Sequence, residues 1–463
     1  MNSSRGKSHY IFPSSSSSSD DSYEERIARE QQEDDEVDDM IAVVGGTCIP
    51  VLLEATTPKQ RSTRRNGPRA DREREAGELR LYNDYFAHNA VYSGSLFRRR
   101  FRMQKHVFER IMNGVVANDD WFRKRPNASG RLGISPLQKC TAAIRMLAYG
   151  CAADATDEYL RISESTAITS MRRFVQAVVR VFGEEYLRRP NQDDLNRLLR
   201  IGEERGFPGM IGSIDCMHWE WKNCPVAWRG QYQGKEGVAT LVLEAVADRD
   251  LWIWHSFFGM PGSLNDINVL HRSPVFEDIL EGRAPPVNFE VNGHQYNMGY
   301  YLTDGIYPKW ATFVKSITSP QSRKDKLFAQ HQEAARKDVE RAFGVLQARF
   351  AIVRRPSLAW HKNALHTIMS ACIIMHNMIV EDERHTYLNY MDPSEFHLDS
   401  SSSRQSQQNG SGENDTFEFH RDRIVDINIY LQNRSSVEEQ QTHLQLKRDL
   451  TEHIWSKFRQ NRN

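Results

Sequence analysis

Several features that mark other protein classes are missing from this 463-residue sequence. The six cysteines show no CxxC spacing, and no apolar stretch near the N-terminus resembles a signal peptide, so we expect reduced thiols and an intracellular protein. An uninterrupted apolar run of about 18 residues, the length that spans a bilayer, is also missing, so we expect no membrane partner. Lysine plus arginine and aspartate plus glutamate both number 61, and the resulting net charge of zero indicates no partner by itself.

Both ends of the chain are low in sequence complexity. Residues 1–78 contain a serine run, an acidic block from Glu24 to Asp39 and a basic block from Lys59 to Arg74, a composition that predicts a disordered tail. The basic block is typical of a nuclear import signal, with a solvated linker as the alternative, so we expect the protein in the nucleus and also in the cytoplasm. Residues 384–463 predict a polar, serine-rich linker followed by an amphipathic segment, from Arg423 to Phe458, that could dock a partner.

Residues 79–205 predict a helical domain. The segment from Arg98 to Lys105 is rich in arginine, with a solvated helix face as the default interpretation and a phosphate-binding face as the alternative. Farther along, Ser135 as an N-cap, Pro136 at the first helical position and Gly150 past the end delimit one helix.

Two more helices follow this one, a short amphipathic one and a longer one that begins after Ser163. Helix, short helix, tight turn and longer helix form the layout of a helix-turn-helix, with a plain helical bundle as the alternative. In the helix-turn-helix, the long helix would present five polar side chains to double-stranded DNA: Ser165, Thr166, Thr169, Arg172 and Arg173.

The stretch GMIGSIDCMHWEW, from Gly209 to Trp221, predicts a buried strand that carries Asp215 to an edge that water can reach. An ionised carboxylate in such a place is costly unless a cation pairs with it or a proton neutralises it. Capping of the next turn is the alternative role for this aspartate.

The chain from residue 206 to residue 383 predicts an α/β domain. Two antiparallel strands, Thr240 to Ala247 and Leu251 to Phe258, follow the first strand, and then come a short helix, a fourth strand that ends at Asp304, a fifth strand and a long helix. This is the element order of the ribonuclease H-like fold, in which the first and fourth strands are neighbours. Asp215 and Asp304 should therefore end side by side, with Glu340 reaching them from the long helix.

Carboxylates that converge in this way repel one another unless protons or cations bridge them. Oxygen donors select hard ions, so we expect Mg²⁺ (or Mn²⁺), and two such ions support phosphodiester cleavage and joining. Asp266 is a candidate accessory metal ligand, although helix capping is its simpler role. Asp248 and Asp250 lie in the hairpin turn, at the far end from the predicted site.

These residues stand in motifs that resemble the P instability factor/Harbinger superfamily of DNA transposases, and within it the plant Pong-type branch. The resemblance covers about Leu79 to Glu383, and it rests on ISPLQKCTAAIRMLAYG, GFPGMIGSIDCMHWEWKNCPVAW, PGSLNDINVL, MGYYLTDGIYP, ARKDVERAFGVLQARF and ACIIMHNMIVED. It implies an acidic triad on an RNase H-like (DDE) catalytic domain, which maps onto Asp215, Asp304 and Glu340. The family's more common Asp-Ser-Gly-Tyr is Asp-Gly-Ile-Tyr from Asp304 onward, a difference that affects only the loop.

The family further implies a Myb-like DNA-binding partner protein that helps bring the transposase to terminal inverted repeats. We therefore expect a metal-dependent DNA endonuclease or transposase that cleaves and joins phosphodiester bonds at transposon ends. Some relatives are domesticated, so the alternative is a chromatin-associated adaptor without nuclease activity. The sequence leaves open whether the protein forms a homo-oligomer.

Overall fold

The computed structural model describes residues 72–126, 130, 132–384 and 427–459. The predicted disordered tail and the polar linker lie almost wholly outside these residues. The first described helix begins at Arg74, five residues before Leu79, where the apolar pattern predicts that order begins.

The segment before the first strand is helical, as predicted. Its helices are α1 (Arg74–Tyr85), α2 (Gly94–Phe101), α3 (Lys105–Asn118), α4 (Pro136–Tyr149), α5 (Asp154–Leu160), α6 (Glu164–Tyr186) and α7 (Gln192–Glu204). The predicted caps of α4 are confirmed: the Ser135 hydroxyl accepts from the backbone N–H of Gln138, and Gly150 ends the helix with a left-handed φ of 56°. Ser163 caps α6 in the same way.

A central mixed sheet follows, with the helices α8 (Val226–Tyr232), α9 (Asp266–Leu270) and α10 (Glu277–Leu280) between its strands. Its strands are β1 (Met210–Glu220), β2 (Thr240–Ala247), β3 (Ile253–Pro261), β6 (Tyr300–Thr303) and β7 (Phe313–Lys315), and a separate hairpin contains β4 (Phe289–Val291) and β5 (His294–Tyr296). The strand order is β3-β2-β1-β6-β7. β1 to β3 are antiparallel, whereas β6 and β7 run parallel to β1. The predicted mixed α/β organisation is therefore confirmed.

Two long helices complete the packing on the sheet. α11 (Arg323–Arg349) begins at a Ser322 capping box, as the sequence indicates, and α12 (Lys362–Glu383) follows it. α12 is long and apolar enough to cross a membrane by length and composition alone, but 78% of its apolar window is buried inside the fold. That degree of burial is typical of a core helix.

The last described segment packs back onto the sheet region as α13 (Ile427–Val437) and α14 (Gln440–Phe458). Leu446, Leu450 and Ile454 of α14 are almost fully buried in one cluster with Tyr300 of β6 and Phe328 of α11. The amphipathic segment that we interpreted as a partner-docking helix thus uses its apolar face within the chain.

One hydrophobic cluster joins the helical segment to the sheet. It contains Phe101 and Phe174 from the helices, Trp219 from β1 and Ile373 from α12. The described residues between 72 and 459 accordingly belong to one unit. The division of function at residues 205 and 206 stays a prediction.

Candidate active site

The pairing of β1 with β6 places Asp215 beside Asp304. Ser213 is paired with Leu302 in the parallel register, and Asp215 and Asp304 each lie two residues farther along their segments. Asp215 is within β1 rather than at its end, because the strand continues to Glu220 along β2 after its pairing with β6 stops. The two carboxylates are thus brought together where β6 ends, as the sequence predicts.

Asp304 is the first residue after β6, and its carboxylate is tied to the loop that follows. Its Oδ1 accepts a hydrogen bond from the backbone N–H of Ile306 at 3.0 Å. A hydrogen bond from an aspartate to the backbone two residues later is typical of a turn. The Oδ2 atom of Asp304 takes no part in this hydrogen bond.

Helix α11 is fixed against the strands by hydrogen bonds to their backbone. The Gln332 side chain donates to the carbonyls of Thr303 (2.9 Å) and Val314 (3.1 Å), and the Ser213 hydroxyl donates to the carbonyl of Ala335 at 3.0 Å. These buried bonds set the position of the next turns of α11. Glu340 stands there with 42% of its side chain exposed.

Arg336 connects Glu340 to Asp215 of β1. Its Nη1 lies 3.4 Å from Oδ2 of Asp215 and 2.6 Å from Oε1 of Glu340. The arginine side chain is only 12% exposed. Two members of the predicted triad, Asp215 and Glu340, therefore share one guanidinium, which belongs to a residue that sequence reasoning missed. Its spacing of one helical turn before Glu340 was the available signal.

The electrostatics at Asp215 show that carboxylates converge. Burial is the main cause that raises the pKa of Asp215 to about 6, and the nearby charges of Asp266 and Asp304 raise it further. The backbone N–H of Cys216, 2.8 Å from Oδ1, and the Arg336 guanidinium act in the opposite direction. The carboxylates of Asp215, Asp266 and Asp304 thus repel one another even though the Arg336 guanidinium is nearby.

Asp266 belongs to the same acidic group. Burial raises the pKa of Asp266, and the charge of Asp304 raises it further, whereas a hydrogen bond with the Cys216 side chain lowers it. Capping is not its role, since the Asn265 side chain accepts the hydrogen bond from the backbone N–H of Asn268 at 2.9 Å. Asp266 instead occupies the first turn of α9, facing the carboxylates of the two strands.

Asp248 and Asp250, the two acids of the β2–β3 turn that were weighed against the site residues, have structural roles. Asp248 is buried and accepts hydrogen bonds from the Trp254 indole (3.0 Å) and from Arg197 (3.1 Å). Asp250 pairs with the same arginine. Both lie in the turn just beyond β2, three to five residues after Ala245, which pairs with Asp215, and their side chains are engaged by Arg197 and Trp254.

The donor set of the site fits a hard divalent cation. Asp215, Asp304 and Asp266 offer only oxygen donors, and their mutual repulsion is the kind that a cation relieves. Within the described residues, no group of three or more His, Cys, Asp or Glu side chains is drawn close enough to enclose an ion. The carboxylates would therefore have to close around a cation, and Glu340 would have to exchange its pairing with Arg336.

The side chains predicted to contact DNA lie along one segment of α6. Ser165, Thr166 and Thr169 are half-buried and engaged locally: the Thr169 hydroxyl donates to the Ser165 carbonyl at 2.9 Å, and the Ser163 and Thr166 hydroxyls are 2.7 Å apart. Arg172 is exposed. Arg173 pairs with Asp119 at 3.4 Å and stacks on Trp121.

The arginine-rich segment from Arg98 to Lys105, which runs from α2 into the start of α3, makes several intramolecular contacts. Arg98 pairs with Glu383 at 2.6 Å, Arg100 lies over the rings of Tyr85 and Tyr92, and Lys105 donates to the carbonyl of Phe86 at 2.8 Å. These contacts tie α2 to α1 and α12. They favour a structural role over a phosphate-binding face.

Residues 184–387 match the family model described as plant transposon protein, and residues 77–116 match a domain of unknown function. The chain is 26% identical to Protein ALP1-like of Arabidopsis thaliana over 318 residues, which cover 64% of this chain and 74% of that protein. It is 22% identical to the human protein named Putative nuclease HARBI1 over 261 residues, which cover 56% of this chain and 70% of that protein. No solved structure matches.

Proposed function

The chain is a Harbinger transposase-derived, nuclease-like protein, and we propose that it is a divalent-metal-dependent DNA endonuclease that acts on phosphodiester bonds at transposon ends. The observation that carries the proposal is the convergence of Asp215, Asp304 and Asp266 at one edge of the sheet. Arg336 links Glu340 to this acidic edge.

The strand topology supports a ribonuclease H-like catalytic domain. Three antiparallel strands, with β6 and β7 added in parallel beside β1, give the order that this fold requires. In that fold the reactive edge lies where the parallel partner of β1 ends, and Asp215 and Asp304 lie side by side where β6 ends.

We assign the triad Asp215, Asp304 and Glu340 to hold Mg²⁺ or Mn²⁺, with Asp266 as an accessory ligand. Two bound ions of this type would activate the attacking oxygen and stabilise the leaving one during phosphodiester displacement. The chain itself contributes the positions of the carboxylates: Asp215 and Asp304 are placed by the strands, and Glu340 is placed by α11, which is hydrogen-bonded to those strands. Burial at Asp215 strengthens its interaction with any cation, because the surrounding dielectric is low.

Basic side chains beside the acidic edge support DNA as the substrate. Lys315 of β7 donates to the Tyr307 carbonyl at 2.5 Å, and Lys447 of α14 donates to the Ser316 carbonyl at 3.0 Å. Burial lowers the pKa of Lys315, whereas the charge of Asp304 opposes that shift. Lys315 could therefore hold a phosphate group next to Asp304, and the charge of Lys447, which interacts with that of Lys315, adds to the attraction.

The proposal is tested by nicking of supercoiled plasmid in Mg²⁺ or Mn²⁺ by the full-length chain. Asp215→Asn, Asp304→Asn and Glu340→Gln should each reduce cutting to background, because each removes one charged ligand, and chelation should do the same. Asp250→Asn is the matched control, since this acid lies in the β2–β3 turn and pairs with Arg197.

Circular dichroism and thermal melting should show that the variants remain folded. Equal cutting by the wild type and by all three variants would contradict the assignment. A wild-type protein that binds chromatin without cutting would instead favour the adaptor alternative.

A further inference from the structure

Arg336 is surrounded by carboxylates from two elements. Besides Asp215 and Glu340, its guanidinium contacts Glu333, with Nη2 at 3.0 Å from Oε1. Glu333 lies one turn before Arg336 on the outer side of α11 and is 43% exposed, whereas the arginine itself is 12% exposed. One guanidinium is therefore shared among three carboxylates, of which Asp215 is largely buried and Glu340 and Glu333 are about equally exposed.

The inner position of this guanidinium is electrostatically important. Asp215 is 18% exposed and lies near Asp266 and Asp304, so its negative charge needs a compensating cation. Removal of one partner from such a buried pair leaves an uncompensated charge, which is strongly destabilising. Arg336 compensates the charge from the helix side.

The same position conflicts with a bound divalent ion. Guanidinium has donors only, and Nη1 already lies against carboxylate oxygens of both Asp215 and Glu340. A divalent ion held by these two residues would stand within a few ångströms of the arginine's positive charge and would be repelled by it. The two cations therefore compete for one pair of acids.

We propose that Arg336 is the internal counterion of the acidic centre and that a divalent cation displaces it from Asp215 and Glu340 toward Glu333. The inference rests on the proposed function, because that function assigns Asp215 and Glu340 as metal ligands. Glu333 makes the exchange feasible, since the displaced guanidinium keeps a carboxylate partner at the surface. Arg336 is thus a positioning residue, which sets how readily the acidic centre takes up metal.

The test measures Mn²⁺ affinity by isothermal titration calorimetry on the full-length chain. Arg336→Gln should lower the Mn²⁺ dissociation constant about tenfold, a factor equivalent to about 1.4 kcal/mol, because a competing charge is removed. Glu333→Gln should raise the dissociation constant, because the displaced arginine loses its outer partner. Arg341→Gln is the matched control: this arginine lies on the same helix, pairs with Asp338 and should leave the affinity unchanged.

Thermal melting supplies a readout that does not depend on DNA cutting. In chelator, Arg336→Gln should unfold at a lower temperature than the wild type, and Mn²⁺ should raise its midpoint by more than it raises that of the wild type. If Arg336→Gln does not fold in chelator, the affinity of Glu333→Gln decides the question.

An unchanged or weaker Mn²⁺ affinity in Arg336→Gln would overturn the inference, and so would failure of both proteins to bind Mn²⁺. A wild type that cuts DNA while Arg336→Gln shows no gain in affinity would refute the role of Arg336 and leave the nuclease proposal standing. The reverse pattern, a gain in affinity in a chain that cuts no DNA, would support the role of Arg336 and contradict the nuclease proposal.

Discussion

Asp215 is a carboxylate whose charge is costly to the folded protein. Burial raises its pKa from about 3.8 to about 6, so the folded state holds this proton more tightly than the unfolded chain does. The contribution of the protonated Asp215 carboxyl to the free energy of unfolding is therefore fully present below about pH 4, and it is lost as the pH rises to about 6. Above pH 6 the folded protein carries the full cost of the charge.

Asp215→Asn should consequently stabilise the protein in chelator at pH 8 and have little effect near pH 4. The shift of about two pKa units corresponds to roughly 2 to 3 kcal/mol at pH 8. Urea unfolding at pH 4, 6 and 8 measures the difference, with Asp250→Asn as the control. A gain that does not grow with pH would contradict the raised pKa. Mn²⁺ should reduce the advantage of the variant, because the ion stabilises only the carboxylate.

The residues of the site differ in how well sequence predicts them. Asp215 and Asp304 were predictable because the first lies in a strand with a clear apolar pattern and the second directly follows such a strand, and strand adjacency then fixes their proximity. Asp266 was harder, since a polar run at a helix start does not reveal whether Asn265 or Asp266 caps the helix. Arg336 could not be placed by pattern alone, because its contacts come from the side-chain conformation.

At the scale of elements, local chemistry predicted the ends of helices better than it predicted short strands. The β4–β5 hairpin was missed, although Asn292-Gly293 between its strands is a strong turn signal and both residues have positive φ. Its strands have only three residues each, too few to show alternation. Helix α7 was also missed, despite a capping box between Asn191 and Asp194.

Helix α14, which the sequence suggests as a partner-docking helix, packs within the folded protein. Leu450 is fully buried, and Asp449 beside it accepts a hydrogen bond from the Tyr296 hydroxyl at 2.5 Å, while the Asn292 side chain donates to the Asp449 carbonyl at 2.8 Å. These contacts fasten α14 to the β4–β5 hairpin. The C-terminal helix is therefore part of the folded unit.

Leu450→Ala should destabilise the full-length protein by about 2 to 5 kcal/mol, the usual cost of truncating a fully buried leucine. Leu444→Ala is the matched control, since Leu444 lies on the same helix with 43% exposure and should change stability little. Denaturant unfolding measures both. Equal, small effects of the two substitutions would show that α14 docks only loosely and would revive the interpretation as a partner-docking helix.

At the scale of the whole molecule, the balance of charge affects how strongly the protein binds DNA. The net charge is zero, and several arginines of the helical segment are already paired with acids or stacked on aromatic rings. Since these arginines of the described helical segment are engaged within the protein, we expect modest, salt-sensitive binding that does not depend on sequence. The Myb-like partner that the family resemblance implies would then supply discrimination.

Arg172 and Arg173 test this expectation because they are adjacent on α6 and differ in their contacts. Arg172 is exposed, so Arg172→Ala should weaken binding to all duplexes alike and reduce the slope of log affinity against log salt by about one unit. Arg173 is held by Asp119 and Trp121, so Arg173→Ala should cost less in DNA affinity and more in stability. Fluorescence anisotropy with terminal-repeat and random duplexes, over a range of salt, measures both effects. Selection of terminal repeats by a factor of ~10³ in the isolated chain, the range of a self-sufficient specific binder, would contradict the expectation and make α6 a reader of bases.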